Sequence, residues 1–316
     1  MSKIKILAPV NSYKAMKLQA EAGADEVYVG FTSQPLAKSK GLFNARNESY
    51  ADVKHQTQVS SEDELRQIVD FAHSCGIKVH YCANVPALRE PLKEHYLRYV
   101  EIGISAGVDS IIVGCVGAII FLREVGIKIP ITAGSFLHTF NTEQIDFLKE
   151  LGVSRVILPQ DLTISEIKQL VSAAQERNIE VEVFGHLGAG NICGRCMMFH
   201  STVTHELPCG CRCAYTVSGP EHKVNKYLFF GSHKDCGICS LPHLIDAGVY
   251  AIKLIGREIE PEIMSNITRI YRYVIDALYN GKTINDILRE FSSQPWWHSV
   301  WVPLYCEQKS CKYIYL

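Results

Sequence analysis

The chain has 316 residues, 47% of them hydrophobic and 21% charged, which is long enough to bury a large apolar core without covalent staples. With 32 basic and 33 acidic residues the formal net charge is −1, so no global electrostatic pull toward nucleic acid or an anionic membrane is expected. No stretch is long and apolar enough to cross a bilayer, and the opening MSKIKILAPVNS lacks the apolar core and small-residue cleavage site of a secretory signal, so a cytoplasmic protein is expected.

Short apolar, β-branched runs alternate with longer segments of helical period. In chain order the predicted strands are KILAP (5–9), EVYVG (26–30), KVHYCAN (78–84), SIIVG (110–114), ITAGS (131–135), RVILP (155–159), VEVFG (181–185) and AIKLIG (251–256). Helical patterns lie between them, among them 12–23, 61–76, 92–107, 142–152 and 163–178. Several open with Ser or Thr and close on Gly or Asn, the residues that cap helix starts and stops. Eight strands, each followed by a helix or its equivalent, predict an α/β fold of the closed (β/α)8, TIM-like barrel type. An open doubly wound sheet is the alternative, and no glycine-rich dinucleotide turn follows the first strand to support it.

The connection after strand seven, about 186–240, far exceeds an ordinary βα loop and is read as an insertion into a single barrel domain covering 1–316. Beyond it, about 258–316 forms a C-terminal helix and an aromatic tail. The apolar stripe of EIEPEIMSNITRIYRYVIDALYNGK packs on the barrel's side or bottom, and the rings of QPWWHSVWVPLY are expected to pack on its body.

The insertion holds Cys193, Cys196, Cys209, Cys211, Cys213, Cys236 and Cys239, seven of the chain's twelve cysteines. In a reducing compartment such density points to metal or redox chemistry before disulfides. Two C-x-x-C spacings, 193/196 and 236/239, suit a tetrahedral zinc site, whereas the extra thiols of CGCRC equally suit an iron–sulfur cluster. Spacing alone leaves zinc, a cluster and redox-active thiols open. Cys75, Cys82 and Cys115 are read as small buried hydrophobes, and Cys306 and Cys311 as candidates for a second site.

An ordered set of motifs then stands out: LAPVNSYKAMKLQAEAGADEVYVG at the start, FNARN (43–47), AGSFLHTFNTEQIDFLKELGVSRVILPQDLTISEI (133–167), VEVFGH into GRC (181–196), CRCAY (211–215), SHKDC (232–236) and LIDAGVYAIKLIGR (244–257). Together they resemble the peptidase U32 family over nearly the whole chain. The resemblance implies a barrel-type fold and, as in the family's hydroxylation branch, a 4Fe-4S cluster held by four cysteines. Carried over by motif, it implies Cys196, Cys236 and Cys213 (or Cys211, Cys209) as ligands, with Cys193 the nearest candidate for the fourth and Cys239 in reserve. Ile255 departs from the family pattern, standing where an acidic residue is usual. The length is closer to the family's short ubiquinone-pathway members, which implies a related subunit in a heterodimer, or a homo-oligomer, as partner.

At the strand ends, His186 is a candidate to orient substrate or move a proton, while Arg257 and Lys253 are candidates for binding an anionic group. Asn44 and Arg46 fall after strand two on the same expected face. GHLGAG lacks the context of a phosphate loop. His200, His205 and Glu206 fit no metalloprotease spacing, and no H-E-x-x-H or G-x-S-x-G motif occurs. The leading expectation is therefore an iron–sulfur protein taking part in oxygen-independent hydroxylation of a small aromatic or heteroaromatic substrate. Collagenase-like hydrolysis and a non-catalytic metal-bearing subunit are the alternatives.

Overall fold

The computed structural model describes residues 3–32, 58–85, 87–186 and 235–313, together with the backbone of 214–218 and 223–228. Cys193, Cys196, Cys209, Cys211, Cys213, Asn44, Arg46, His200, His205 and Glu206 lie outside the described residues.

The alternating pattern closes into a barrel. Strands β1 (Lys5–Val10), β2 (Glu26–Val29), β3 (Lys78–Ala83), β4 (Ser110–Val113), β5 (Ile131–Ala133), β6 (Val153–Ile157), β7 (Glu180–His186) and β10 (Ala251–Leu254) pair in parallel all the way round. The seam is β1 against β10, with Lys5 opposite Ala251 and Leu7 opposite Lys253. A separate antiparallel hairpin, β8 (Ala214–Ser218) with β9 (Lys223–Leu228), falls within the insertion. The eight barrel strands lie where the apolar runs predict them, with ends shifted by one or two residues.

Helices α1 (Tyr13–Glu21), α2 (Glu62–Ser74), α3 (Lys93–Ser105), α4 (Val116–Glu124), α5 (Thr142–Glu150) and α6 (Ile164–Glu176) follow strands one to six in the predicted manner. Their starts are fixed by side chains that satisfy otherwise unpaired amides: Ser12 accepts from Ala15, Ser61 from Glu64 and Asn141 from Gln144, and Thr163 with Glu166 closes a reciprocal box. Helix α2 buries Leu65, Ile68, Val69 and Ala72, the 3–4 spacing of one face. Cys75 continues that spacing but is exposed, a correction to its expected burial. The helix ends at Ser74, Cys75 caps it, and the chain turns away at Gly76 with φ +71°.

Helix α7 (Leu241–Asp246) leads into β10, and α8 (Pro261–Tyr279) then lies along the barrel's side against α1 and β1. Helix α9 (Ile284–Ser292) and a wide-turned segment, Trp297–Cys306, complete the described chain. In that segment Glu307 N–H reaches back five residues to Val302 O, around Pro303, which has no N–H to offer. Trp297 and Trp301 are buried, as expected of rings packing on the body. Among the described residues no helix is long and apolar enough to cross a membrane.

The barrel interior is built in two levels. Five strands carry a polar residue two positions before an apolar one, and period-2 geometry points both inward: Glu26 and Tyr28, His80 and Cys82, Ser110 and Ile112, Arg155 and Ile157, Glu182 and Phe184. The level nearer the strand starts is an ionic floor. Arg155 donates to Glu26 from both terminal nitrogens (2.6 and 3.1 Å), lies 2.7 Å from Glu180 and 3.3 Å from Glu182, and His80 Nε2 sits 2.9 Å from Glu26. Burial opposes the Glu26 charge, but the bonds from His80 and Arg155 outweigh it and hold this carboxyl far below the usual carboxylate range. Above the floor, Leu7, Tyr28, Cys82, Ile112, Ile157 and Phe184 form a closed apolar layer. Cys82 is thus the buried hydrophobe expected, and Cys115, at the start of α4, is partly buried.

Candidate functional site at the strand ends

Tyr28 forms the platform between floor and mouth. Lys253 Nζ lies 4.1 Å from its ring centroid and the Arg257 guanidinium 5.6 Å, so the two cations proposed from sequence share one aromatic ring. Their settings differ. Lys253 is buried and donates to Glu182 (3.2 Å), which ties it to the floor. Arg257 is partly exposed at the mouth, its carbonyl accepting from Asn11 Nδ2 at 2.7 Å. Gly30 makes room for it: a Cβ there would stand 2.3 Å from Arg257 Nη1 and 2.1 Å from Gln58 Oε1. Ile255 packs against the apolar layer, so the position where the family pattern has an acid contributes no charge here.

His186 ends β7, but it does not face the mouth. It is fully buried, its ring packed among Tyr271, Trp301 and Tyr305 with centroids 5.6, 5.5 and 5.2 Å away. Nε2 lies 3.2 Å from the Tyr305 hydroxyl and Nδ1 3.4 Å from that of Tyr271. Burial, with the charge of Lys312 adding to it, pushes the imidazole down to about 3, so the ring is neutral. This setting joins the barrel to the C-terminal segment. The ring has no exposed surface.

That segment was the part of the site hardest to anticipate. Tyr313 hydroxyl donates to Phe184 O (3.0 Å) and accepts from Phe184 N (3.1 Å), while the buried Lys312 donates to Gln160 Oε1 (3.1 Å) just past β6. Residues 310–313 are therefore seated on the strand ends of β6 and β7. The aromatic density of the tail signalled packing, but nothing in its pattern named the partner.

Four thiols gather at the same corner. Cys236 is buried, forms backbone bridges to both His186 and Cys311, and has Cys239 on the next turn; Cys306 precedes the closed turn that returns the chain to Cys311. Burial pushes Cys236 up to about 12 and Cys239 up to about 11, and raises Cys306 and Cys311 as well. All four are free of disulfides. Of the family-type ligand set, only Cys236 and Cys239, the reserve for the fourth ligand, fall within the described residues. Among the described residues no three histidine, cysteine or acidic side chains stand at metal-holding distance.

Comparison with known proteins places this geometry. The profile of peptidase family U32 matches residues 11–299. The chain belongs to that family. Its U32 relatives include the collagenase of Porphyromonas gingivalis, 26% identical over 92% of this chain and 70% of the collagenase. They also include the tRNA hydroxylation protein P of Helicobacter pylori, 24% identical over 89% of this chain and 66% of that protein. The 23S rRNA 5-hydroxycytidine synthase of Escherichia coli is 26% identical over 92% of this chain but only 42% of its own length. Among solved structures, an octameric ribulose-1,5-bisphosphate carboxylase/oxygenase from Pyrococcus horikoshii matches 92% of this chain and 63% of its own with a TM-score of 0.51 at 12% identity, a likeness of fold alone.

Proposed function

We propose that this U32 protein takes part in oxygen-independent hydroxylation of an aromatic or heteroaromatic substrate, with a 4Fe-4S cluster bound by cysteines beyond β7. The observation that carries the reading is the alignment, across about nine-tenths of the chain, with relatives named for hydroxylation of tRNA and rRNA. The mouth adds chemical support. Arg257 is positioned to meet a carboxylate or phosphate, and Tyr28 offers a ring below it that Lys253 keeps in a cationic environment. The closed apolar layer and the ionic floor leave the strand-end side as the approach for substrate.

Cys193, Cys196, Cys213 and Cys236, with Cys209, Cys211 and Cys239 as alternates, are the thiols proposed to hold the cluster, and zinc is the competing occupant. A bound cluster supplies one-electron transfer. The chain's own part is to bind the anionic end of the substrate, exclude water above the apolar layer and seat the C-terminal segment against β7. A related U32 subunit or a second copy is the proposed partner.

The test is protein purified without oxygen. Iron with acid-labile sulfide, and colour that bleaches with dithionite, are expected. Cells grown without oxygen should lose a hydroxylated nucleoside or small aromatic product, read by mass spectrometry, when the protein is removed. Colourless zinc protein, or an unchanged hydroxylation profile, would overturn the reading. The likeness to a collagenase favours hydrolysis as the second reading; release of peptides by pure protein, abolished by Arg257→Ala with the fold intact, would put it first.

A further inference from the structure

We infer that Gln58 is the positioning residue of the strand-end mouth: its neutral amide holds the Arg257 guanidinium in place for an anionic ligand. The inference rests on the anion-binding part given to Arg257 above and adds the group that aims it.

Backbone pairing brings Gln58 to the mouth. Val59 N donates to Gly30 O at 3.0 Å and Thr32 N to Val59 O at 2.9 Å, and Phe31 forms a parallel bridge with Val59. The segment that opens with Gln58 is thereby stitched to the end of β2, and Gln58 itself is 4% exposed. Ordering so long a side chain has an entropic cost that a surface position would avoid.

Period-2 geometry carries the inward face of β2 from Glu26 through Tyr28 to Gly30. Glu26 gives the floor a carboxylate, Tyr28 gives the platform a ring, and Gly30 gives the mouth no side chain. The gap is filled from elsewhere: a Cβ at Gly30 would stand 2.1 Å from Gln58 Oε1 and 2.3 Å from Arg257 Nη1. Both distances run from one point, so the amide oxygen and the guanidinium nitrogen lie side by side, an acceptor next to a donor. Gly30 has no positive φ to require glycine, so space is the reason for it.

The rest of Arg257 is anchored as well. Gly256 turns the chain out of β10 at φ +140°, and a Cβ there would stand 2.7 Å from Met264 Sδ. Asn11 Nδ2 then holds the Arg257 carbonyl at 2.7 Å, and the guanidinium lies 5.6 Å from the Tyr28 ring centroid. These contacts fix the root and one face of the side chain, and Gln58 meets its tip. An arginine whose fork is already fixed loses less freedom on binding, which raises affinity without any new contact to the ligand.

The neutrality of residue 58 matters because of its surroundings. The inward residues of β10 and its extension run Lys253, Ile255, Arg257, and Ile255 packs on the apolar layer. Lys253 is already joined to Glu182. An amide orients a guanidinium and leaves its charge whole, whereas a carboxylate at the same place would neutralise it and repel an incoming anion. The ligand class this arrangement takes is one that carries a carboxylate or a phosphate.

The experiment follows phenylglyoxal modification of arginines in the full chain, read by peptide mass, with benzoate and inorganic phosphate as the probes. Wild-type Arg257 should be protected by at least one of them in a saturable way, while Arg98, 71% exposed on α3, reacts equally with and without it. The concentration giving half protection measures affinity, however fast each variant reacts. Gly30→Ala should raise it about tenfold, because the new methyl displaces two side-chain tips while β2 keeps its backbone. Gln58→Met, similar in size but without the acceptor, should raise it about fivefold, and Gln58→Glu about 30-fold or more. Circular dichroism should report a folded barrel for all three variants; should one fail to fold, the other two decide. A glutamine that merely fills space would let Gln58→Met and Gln58→Glu bind as wild type does, so half-protection values within about twofold of wild type in those variants would overturn the proposal. The anion-binding role of Arg257 would survive that result. No protection of wild-type Arg257 by either probe would overturn that role, and this inference with it.

Discussion

The two ends of the barrel treat ionisable groups in opposite ways. At the strand starts Glu26, Arg155 and Glu182 sit in low dielectric with His80 bonded to Glu26, and each ion has a partner, so the charges are spent on one another. At the strand ends burial raises the thiols of Cys236 and Cys239. A buried group whose charge is already satisfied holds a fold together. A buried group that still carries its proton is ready to exchange it for a ligand, and that contrast separates scaffold from chemistry.

The largest effect expected from breaking the contrast is at the floor. Arg155→Met strips the guanidinium from two buried carboxylates and should cost about 3–5 kcal/mol in urea unfolding; a loss below about 1 kcal/mol would mean the floor contributes little. Next comes acid sensitivity. Because the folded Glu26 carboxyl is held below its unfolded value of about 4.3, its stabilisation is complete above that pH and fades as pH falls, by up to about 1.4 kcal/mol per unit. Glu26→Gln should flatten that acid limb, as followed by circular dichroism at a series of pH values.

At the other end the effects are smaller and local. The Tyr271 hydroxyl donates to Gly185 O at 2.6 Å and accepts from Gly237 N at 3.0 Å, so Tyr271→Phe should cost about 1–3 kcal/mol and speed hydrogen exchange at the Gly237 amide. Smallest is Tyr313→Phe, about 1 kcal/mol, visible as faster exchange at Phe184 with the barrel midpoint nearly unchanged.

The barrel was readable because its signals are local. A run such as SIIV or a cap such as Thr163 declares its structure within a few neighbours, and the strands and helices formed where those runs and caps stand. The floor was written in the sequence too, as a polar residue two before an apolar one in five strands, but single strands read one at a time show only a polar flank. For His186, strand-end position does not say what covers a side chain; the cover is Trp301 and Tyr305, far along the chain. Cys306 and Cys311 were visible only as a possible second site, since no periodicity brings them to Cys236. That pairing is made by hydrogen bonds between segments distant in sequence. Cys75 shows the converse: its spacing was right for burial, and the helix ended one residue too soon.

The seam between β1 and β10 also governs how the molecule comes into being. Lys5 leaves the ribosome long before its neighbour Ala251, so while the residues between them are made the first strand has one unpaired edge. Nascent chains halted before residue 251 are therefore open sheets, and the barrel closes only once β10 has been made.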